Sequence, residues 1–299
     1  MTDDALRSLL RFAAFARRPG HLMDLAEGAL LIADLSDPKL DHRPSLRRLD
    51  ALAADARVEL GLAPGARLPA HSLGLRATAV RTMRTLRATL AEREGYTGHT
   101  EGYYAPENSF LNRVLERKRG LPITLSVLYI EVARRIGAPL VGVGLPAHFI
   151  AKWPLSPDEG DDLFVDAFAG GELLDLDACR RFMLRLTASA PGGPRFEAQW
   201  IDPVGTRSIL VRMLTNLKQH YLQNGETAPA LEVVERLALL RPDAPEELRD
   251  RGLLRLAMGE ILLAAADLFT FVERAPRYPE APRVRRRLQS IAEVHNKLN

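Results

Sequence analysis

A histidine and an aspartate, His148 and Asp166, stand in two short runs of strand-favouring residues, Ala147–Trp153 and Leu163–Ala169. If those runs pair antiparallel, opposed positions share a constant index sum. The midpoint of 148 and 166 is Pro157, inside the intervening loop Pro154–Asp162. Direct opposition puts both side chains on one face and in reach of each other. A carboxylate beside an imidazole fixes the tautomer and raises the basicity, which is the second half of a nucleophile–histidine–aspartate arrangement. A structural pair bracing a hairpin needs the same geometry, and spacing alone favours that plainer role.

A nucleophile is harder to find. The single cysteine, Cys179, follows Asp166 in the run Leu174–Arg180, and an isolated cysteine is most often a small buried hydrophobe. Thr124 and Ser126 lie in the first turns of an apolar helical stretch. A hydroxyl beside a histidine can be activated, but capping or lining the turn is the commoner use. Pro122 suits the first turn of the same helix, and Asn108 or Ser109 suits the N-cap of the helix before it. The functional alternative is that Asn108 and Ser109 border a cleft. The other histidines (His21, His42, His71, His99, His220 and His295) show no pair at metal-ligand spacing, and no glycine-rich phosphate loop occurs. Neither a metal nor a cofactor is expected. The densest positive cluster, Arg283-Val284-Arg285-Arg286-Arg287, reads as a solvated face of a terminal helix, with nucleic-acid contact as the less favoured use.

The elements that must position these groups come in three blocks. Helical periodicity covers Ala5–Ala16, Met23–Leu35, Ser45–Leu60 and Leu73–Ala91, after which Gly95–Asn108 reads as a loop. Ser109–Lys118 and Pro122–Ile136 read as two helices separated by Arg119-Gly120-Leu121. The second is apolar around most of its circumference and must be buried. Beyond Gly137 the pattern turns extended over Leu140–Gly144, Ala147–Trp153, Leu163–Ala169 and Glu172–Leu174. Gly170-Gly171 reads as a two-residue hairpin turn, and Asp177 as the cap of a helix through Arg185.

From Val204 helices return, with an internal repeat. Gly225-Glu226 recurs as Gly259-Glu260, Ala230 as Ala264, Pro242 as Pro276 and Pro245-Glu246 as Pro279-Glu280, each 34 residues on. That is the period of tetratricopeptide helix–turn–helix units. Two copies and the helix Pro282–Lys297 make a short solenoid, which buries little by itself and should lean on the preceding domain.

Composition narrows the class. The 299 residues are 46% apolar and 26% charged, average for a globular chain with room for two domains. With 41 basic against 38 acidic residues the net charge is +3, which does not suggest a nucleic-acid binder. One cysteine excludes an internal disulfide and a multi-cysteine zinc site. The acidic start Met1-Thr2-Asp3-Asp4 is unlike a secretory signal, and the most apolar runs, Ala29–Ala33 and Ile261–Ala266, are too short to span a bilayer. A cytoplasmic protein without membrane contact is expected.

The stretch Tyr103–Asn112, followed by Val114–Arg117 and Arg119–Leu125, resembles the bacterial SirB-type family, as do Gly142–Phe149, Asp166-Ala167-Phe168 and Gly170-Gly171. The resemblance implies an α+β fold: a transglutaminase-like core of the papain-like cysteine-protease superfamily with N-terminal helices, over residues 1–200. An all-α domain of tetratricopeptide-like repeats over 201–299 follows. In that superfamily a cysteine opens the buried helix, and a histidine and an aspartate follow on neighbouring strands. His148 and Asp166 occupy the second and third places. The first falls near Pro122–Thr124, where no cysteine stands. The resemblance thus implies a cleft that keeps His148 and Asp166, is lined by Asn108, Ser109, Pro122, Thr124 and Ser126, and lacks its thiol. The expected role is protein or peptide binding of a regulatory kind, with the repeats as docking surface. The alternative is a cysteine-independent hydrolase or acyltransferase using His148 and Asp166.

Overall fold

The computed structural model describes residues 2–298 apart from Tyr104 and Ala190, and only the backbone of 292–298. Tyr104 of the SirB-like stretch and the side chain of His295 therefore lie outside the described residues. By packing, the chain divides into two compact units, Pro19–Met213 and a second built from Met1–Arg18 together with Leu214–Asn299. The grouping differs from the sequence expectation in two respects: the units part between Met213 and Leu214 and not between 200 and 201, and the first helix changes sides. The first helix, α1 (Asp3–Ala16), belongs with the repeats and not with the core.

The unit Pro19–Met213 is built around one helix. Ahead of it come α2 (Leu25–Ala33), α3 (Arg43–Glu59), α4 (Arg76–Arg87), the two-residue strand β1 (Thr97–Gly98), α5 (Leu111–Arg117) and β2 (Arg119–Gly120). Then α6 (Pro122–Arg135) begins with Pro122 in its first turn, where the missing N–H costs nothing. Every residue of α6 from Pro122 to Ala133 is buried, as its all-round apolar sequence requires. The one acid among them, Glu131, is fully buried and takes hydrogen bonds from Arg134 Nη2 at 2.8 Å and Arg135 Nη1 at 2.5 Å. A buried carboxylate is tolerated only when paired in this way.

After α6 the chain lays down β3 (Val141–Val143), β4 (Ile150–Trp153), β5 (Leu163–Asp166) and β6 (Glu172–Leu174). It continues into α7 (Leu176–Leu186), the short strand β7 (Pro203–Val204) and α8 (Thr206–Gln223), which carries the chain into the other unit. The five-stranded sheet has the order β6-β5-β4-β3-β7 and every neighbouring pair is antiparallel. β7 has no sequence signal, because Pro203-Val204 is only two residues of strand. The expected two-residue turn at Gly170-Gly171 is instead a loop over 167–171, with both glycines at positive φ. The cap of α7 is Asp175, whose carboxylate accepts from Ala178 N at 2.7 Å, and not Asp177.

The second unit consists of α1, the end of α8, α9 (Thr227–Leu240), α10 (Pro245–Ala257), α11 (Ile261–Arg274) and α12 (Ala281–Leu298). In α1 Thr2 caps the first turn, Phe12 is buried beneath the Arg236 guanidinium of α9, and Ser8 Oγ accepts from Arg236 Nη2 at 2.9 Å. Nothing in α1 carries the repeat's spacing, which is why sequence alone assigns it to the core.

The 34-residue period is written into the backbone. Glu226 N donates to Tyr221 O at 2.8 Å and Glu260 N to Arg255 O at 2.9 Å; Gly225 N donates to Leu222 O and Gly259 N to Leu256 O. Both turns place glycine in the left-handed region, at φ 71° and 79°. These are the αL endings that let a helix stop and reverse. Gly225→Ala and Gly259→Ala each meet open space and only backbone strain. Each should lower the unfolding free energy by about 1 kcal/mol, and the double variant by the sum, read from urea titration of all three proteins.

Candidate active site

His148 Nε2 lies 2.9 Å from Asp166 Oδ2, and both side chains are about nine-tenths buried, at 10% and 6% exposure. They meet on one face, but not by direct opposition. The register pairs Ala151 with Val165 and Trp153 with Leu163, so Asp166 stands across from position 150. His148 is two residues earlier, in the loop just outside β4. A shift of two preserves the face in a pleated sheet, and a diagonal neighbour remains in reach of a long side chain.

The aspartate is fixed by main chain. Its Oδ1 accepts from Phe168 N at 3.0 Å and Ala169 N at 3.2 Å, leaving Oδ2 for the imidazole. Gly171 N closes the loop onto Asp166 O at 2.9 Å. The loop 167–171 is thus a carboxylate holder, and Gly170-Gly171 supplies its reversal.

The histidine is held by its own backbone. Arg212 of α8 donates from Nη2 to Leu145 O at 2.8 Å and to His148 O at 2.7 Å, with its guanidinium over the Phe149 ring. Burial pushes the Arg212 pKa below its usual value, against the influence of the Tyr103 hydroxyl. The guanidinium keeps its charge all the same. The clamped loop includes Ala147 at φ 54°, a left-handed conformation that a residue with a Cβ adopts at a cost. Arg212 therefore holds a strained turn that aims the imidazole.

Aromatic rings enclose the pair. Phe182 and Phe168 meet the imidazole edge-on with centroids 5.0 Å and 6.0 Å away, and Tyr103 stands edge-on to Phe168 at 5.9 Å. Phe168 itself rests on β1. Gly98 N donates to Phe168 O at 3.0 Å, and a Cβ on Gly98 would come within 2.6 Å of the ring.

The expected cleft residues divide. Asn108 is fully buried and does not cap a helix; with Ser109 it sits in the 3₁₀ turn Pro106–Ser109, and Phe110 takes the capping position. Asn108 Nδ2 donates to Gly102 O at 2.7 Å and Tyr103 O at 3.3 Å and lies 3.1 Å from His99 Nδ1. It holds the loop that carries Tyr103. Ser126 Oγ donates to Phe149 O at 3.4 Å, which ties α6 to the residue after His148. Thr124 Oγ1 is buried without a hydrogen-bond partner. Pro122, Ile123 and Thr124 are all buried at the start of α6.

Cys179 is far from this role. It is fully buried on α7 among Val143, Leu145, Ile150, Phe164, Leu174 and Met183, and burial pushes its pKa up to about 11. A neutral buried thiol is inert. Among the described residues no group of three histidine, cysteine or acidic side chains is placed to hold a metal ion, and no helix is long and apolar enough to cross a membrane. Sequence reasoning missed Arg212 and Phe182 altogether. Their spacing from His148 carries no local signal, whereas Tyr103 and Phe168 at least lie in the SirB-like stretches.

Two measurements follow from the geometry. Asp166→Ala leaves two amides and an imidazole without their buried acceptor and should cost about 2–4 kcal/mol in urea unfolding, with Asp166→Asn recovering part of the loss. A maleimide at pH 8 should label Cys179 in the folded protein far more slowly than in the denatured one. Equal rates would mean that the thiol is not packed as described.

Residues 44–215 match the transglutaminase-like superfamily, and residues 217–289 match a tetratricopeptide repeat family. A UPF0162 protein of Xylella fastidiosa is 40% identical over 204 residues, which is 68% of this chain and 71% of that protein. The protein SirB1 of Salmonella typhimurium is 28% identical over 198 residues, covering 66% of this chain and 71% of the relative. Mouse F-box only protein 21 is 32% identical over 127 residues, or 41% of this chain and 19% of that much longer protein. No solved structure matches the chain. The paired histidine and aspartate on their antiparallel strands, the buried helix beside them and the repeats that follow place this chain in the SirB-type family, a transglutaminase-like domain followed by tetratricopeptide repeats.

Proposed function

We propose that the protein is a regulatory binding module in which the transglutaminase-like domain no longer works through a thiol and the repeats dock a protein or peptide partner. One observation carries this reading. The only cysteine is sealed in an apolar cluster on α7, while the helix start that should present a nucleophile offers Pro122, Ile123 and an enclosed Thr124. Ser126, the other nearby hydroxyl, donates to a backbone carbonyl instead of facing a base. The pair His148–Asp166 then serves to brace the aromatic pocket. In this reading the protein works in the cytoplasm, where a lone thiol stays reduced.

A second reading, a hydrolase or acyltransferase with a different nucleophile, draws on the same pair. Its support is the preorganisation of Asp166 by two amides, since a fixed carboxylate is what a histidine base needs. The two readings part in one comparison. Immobilised full-length protein, its His148→Ala variant and the unit Pro19–Met213 are each used to capture partners. The full chain and His148→Ala should capture the same protein and Pro19–Met213 none. Undiminished capture by Pro19–Met213 overturns the docking assignment, and loss of capture in His148→Ala moves the binding site into the cleft.

A further inference from the structure

Between α10 and α12 the repeat unit holds a groove of about 840 Å3. One wall comes from α10, with Arg249, Asp250, Leu253, Leu256 and Ala257; the other from α12, with Arg283, Arg286, Arg287 and Ser290. The α12 residues recur at the third and fourth positions, so they share one helix face. Val284 lines the groove as well and belongs to the cluster around Leu268 and Phe271, against which Leu288 packs.

The charges in this groove are unbalanced. Arg249 is engaged by Asp250 at 2.8 Å and by Glu280 at 3.1 Å, and Lys218 also reaches Asp250 at 2.9 Å. The two carboxylates at the groove are thereby satisfied. Arg283, Arg286 and Arg287 are exposed, and among the described residues none of their guanidinium groups has a hydrogen-bond or ion-pair partner. Three like charges held on one face repel each other unless something supplies anions. The α10 wall of the same groove is apolar at Leu253, Leu256 and Ala257, and Leu253 is left 43% exposed. Guanidinium groups and exposed leucine in one groove match a ligand with carboxylates beside a branched apolar side chain.

A nucleic acid fits less well. Its phosphates would run past Asp250 and Glu280, and among the described residues no aromatic one lines the groove to stack a base. We propose that the α10–α12 groove is the docking site for an acidic protein segment whose carboxylates pair with Arg283, Arg286 and Arg287 and whose leucine-class side chain seats on Leu253. The proposal rests on the reading that the repeats dock a protein and names the chemistry of what they dock.

Fluorescence anisotropy of a labelled peptide of glutamate and leucine against the full-length protein tests it. A glutamate-only peptide, a lysine–leucine peptide and a single-stranded DNA oligonucleotide form the other arms. The glutamate–leucine peptide should bind, more tightly than glutamate alone, and weaken as salt rises. The triple variant R283E/R286E/R287E should bind it about tenfold or more weakly and should take up the lysine–leucine peptide instead, a swap that misfolding cannot produce. Leu253→Ala should weaken the glutamate–leucine peptide while sparing the glutamate-only one. Failure of the peptide to bind, equal binding by the triple variant, or tighter binding of the DNA overturns the proposal. Should it fail while Pro19–Met213 still loses partner capture, the docking role stands and only the acidic chemistry falls.

Discussion

A helix with no polar face has to be wrapped, and that requirement organises the transglutaminase-like unit. Because α6 is buried from Pro122 to Ala133, helices must cover it on one side and the sheet on the other. Its only buried acid, Glu131, lies near the end and is met by arginines of its own last turn. The beginning of the helix, where a catalytic group could have stood, is therefore free of charge and packed with Pro122, Ile123 and Thr124. Ser126 Oγ on Phe149 O then fixes how far the His148 loop stands from that beginning.

The histidine and aspartate are positioned from outside the sheet as much as from within it. Two amides of the loop 167–171 orient the carboxylate, and a guanidinium from α8 orients the backbone that carries the imidazole. Such second contacts commonly survive with the groups they support. Here they surround a pair to which no thiol is presented. The rings of Phe168, Phe182 and Tyr103 make the surroundings apolar and close-fitting, which suits recognition as well as it suits chemistry.

Much of this is legible in the sequence itself. The pairing of His148 with Asp166 follows from alternation, which tolerates a shift of two; the strands pair about position 158 and not about Pro157. The burial of α6 and the paired Gly-Glu turns followed from periodicity. The cap expected at Asn108 or Ser109 falls to Phe110, since an asparagine before a helix looks the same in sequence whether it binds that helix or the loop behind it. Arg212 was out of reach: it lies 64 residues from His148 and acts through main-chain carbonyls, which leave no mark on the sequence. The affiliation of α1 was equally hidden, because it depends on a contact between Ser8 and Arg236, 228 residues apart.

The paired turns at Gly225 and Gly259 bear on how such a protein changes length. Each turn closes with hydrogen bonds to residues a fixed number of positions upstream, so a whole unit carries both halves of its own joint. Inserting one more 34-residue copy at the Gly225 or Gly259 boundary would reproduce the same donors and acceptors at the new seam. A shorter or longer insertion would break them. Growth of the array is thus quantised: a complete unit keeps both halves of every bend, whereas a length in between does not.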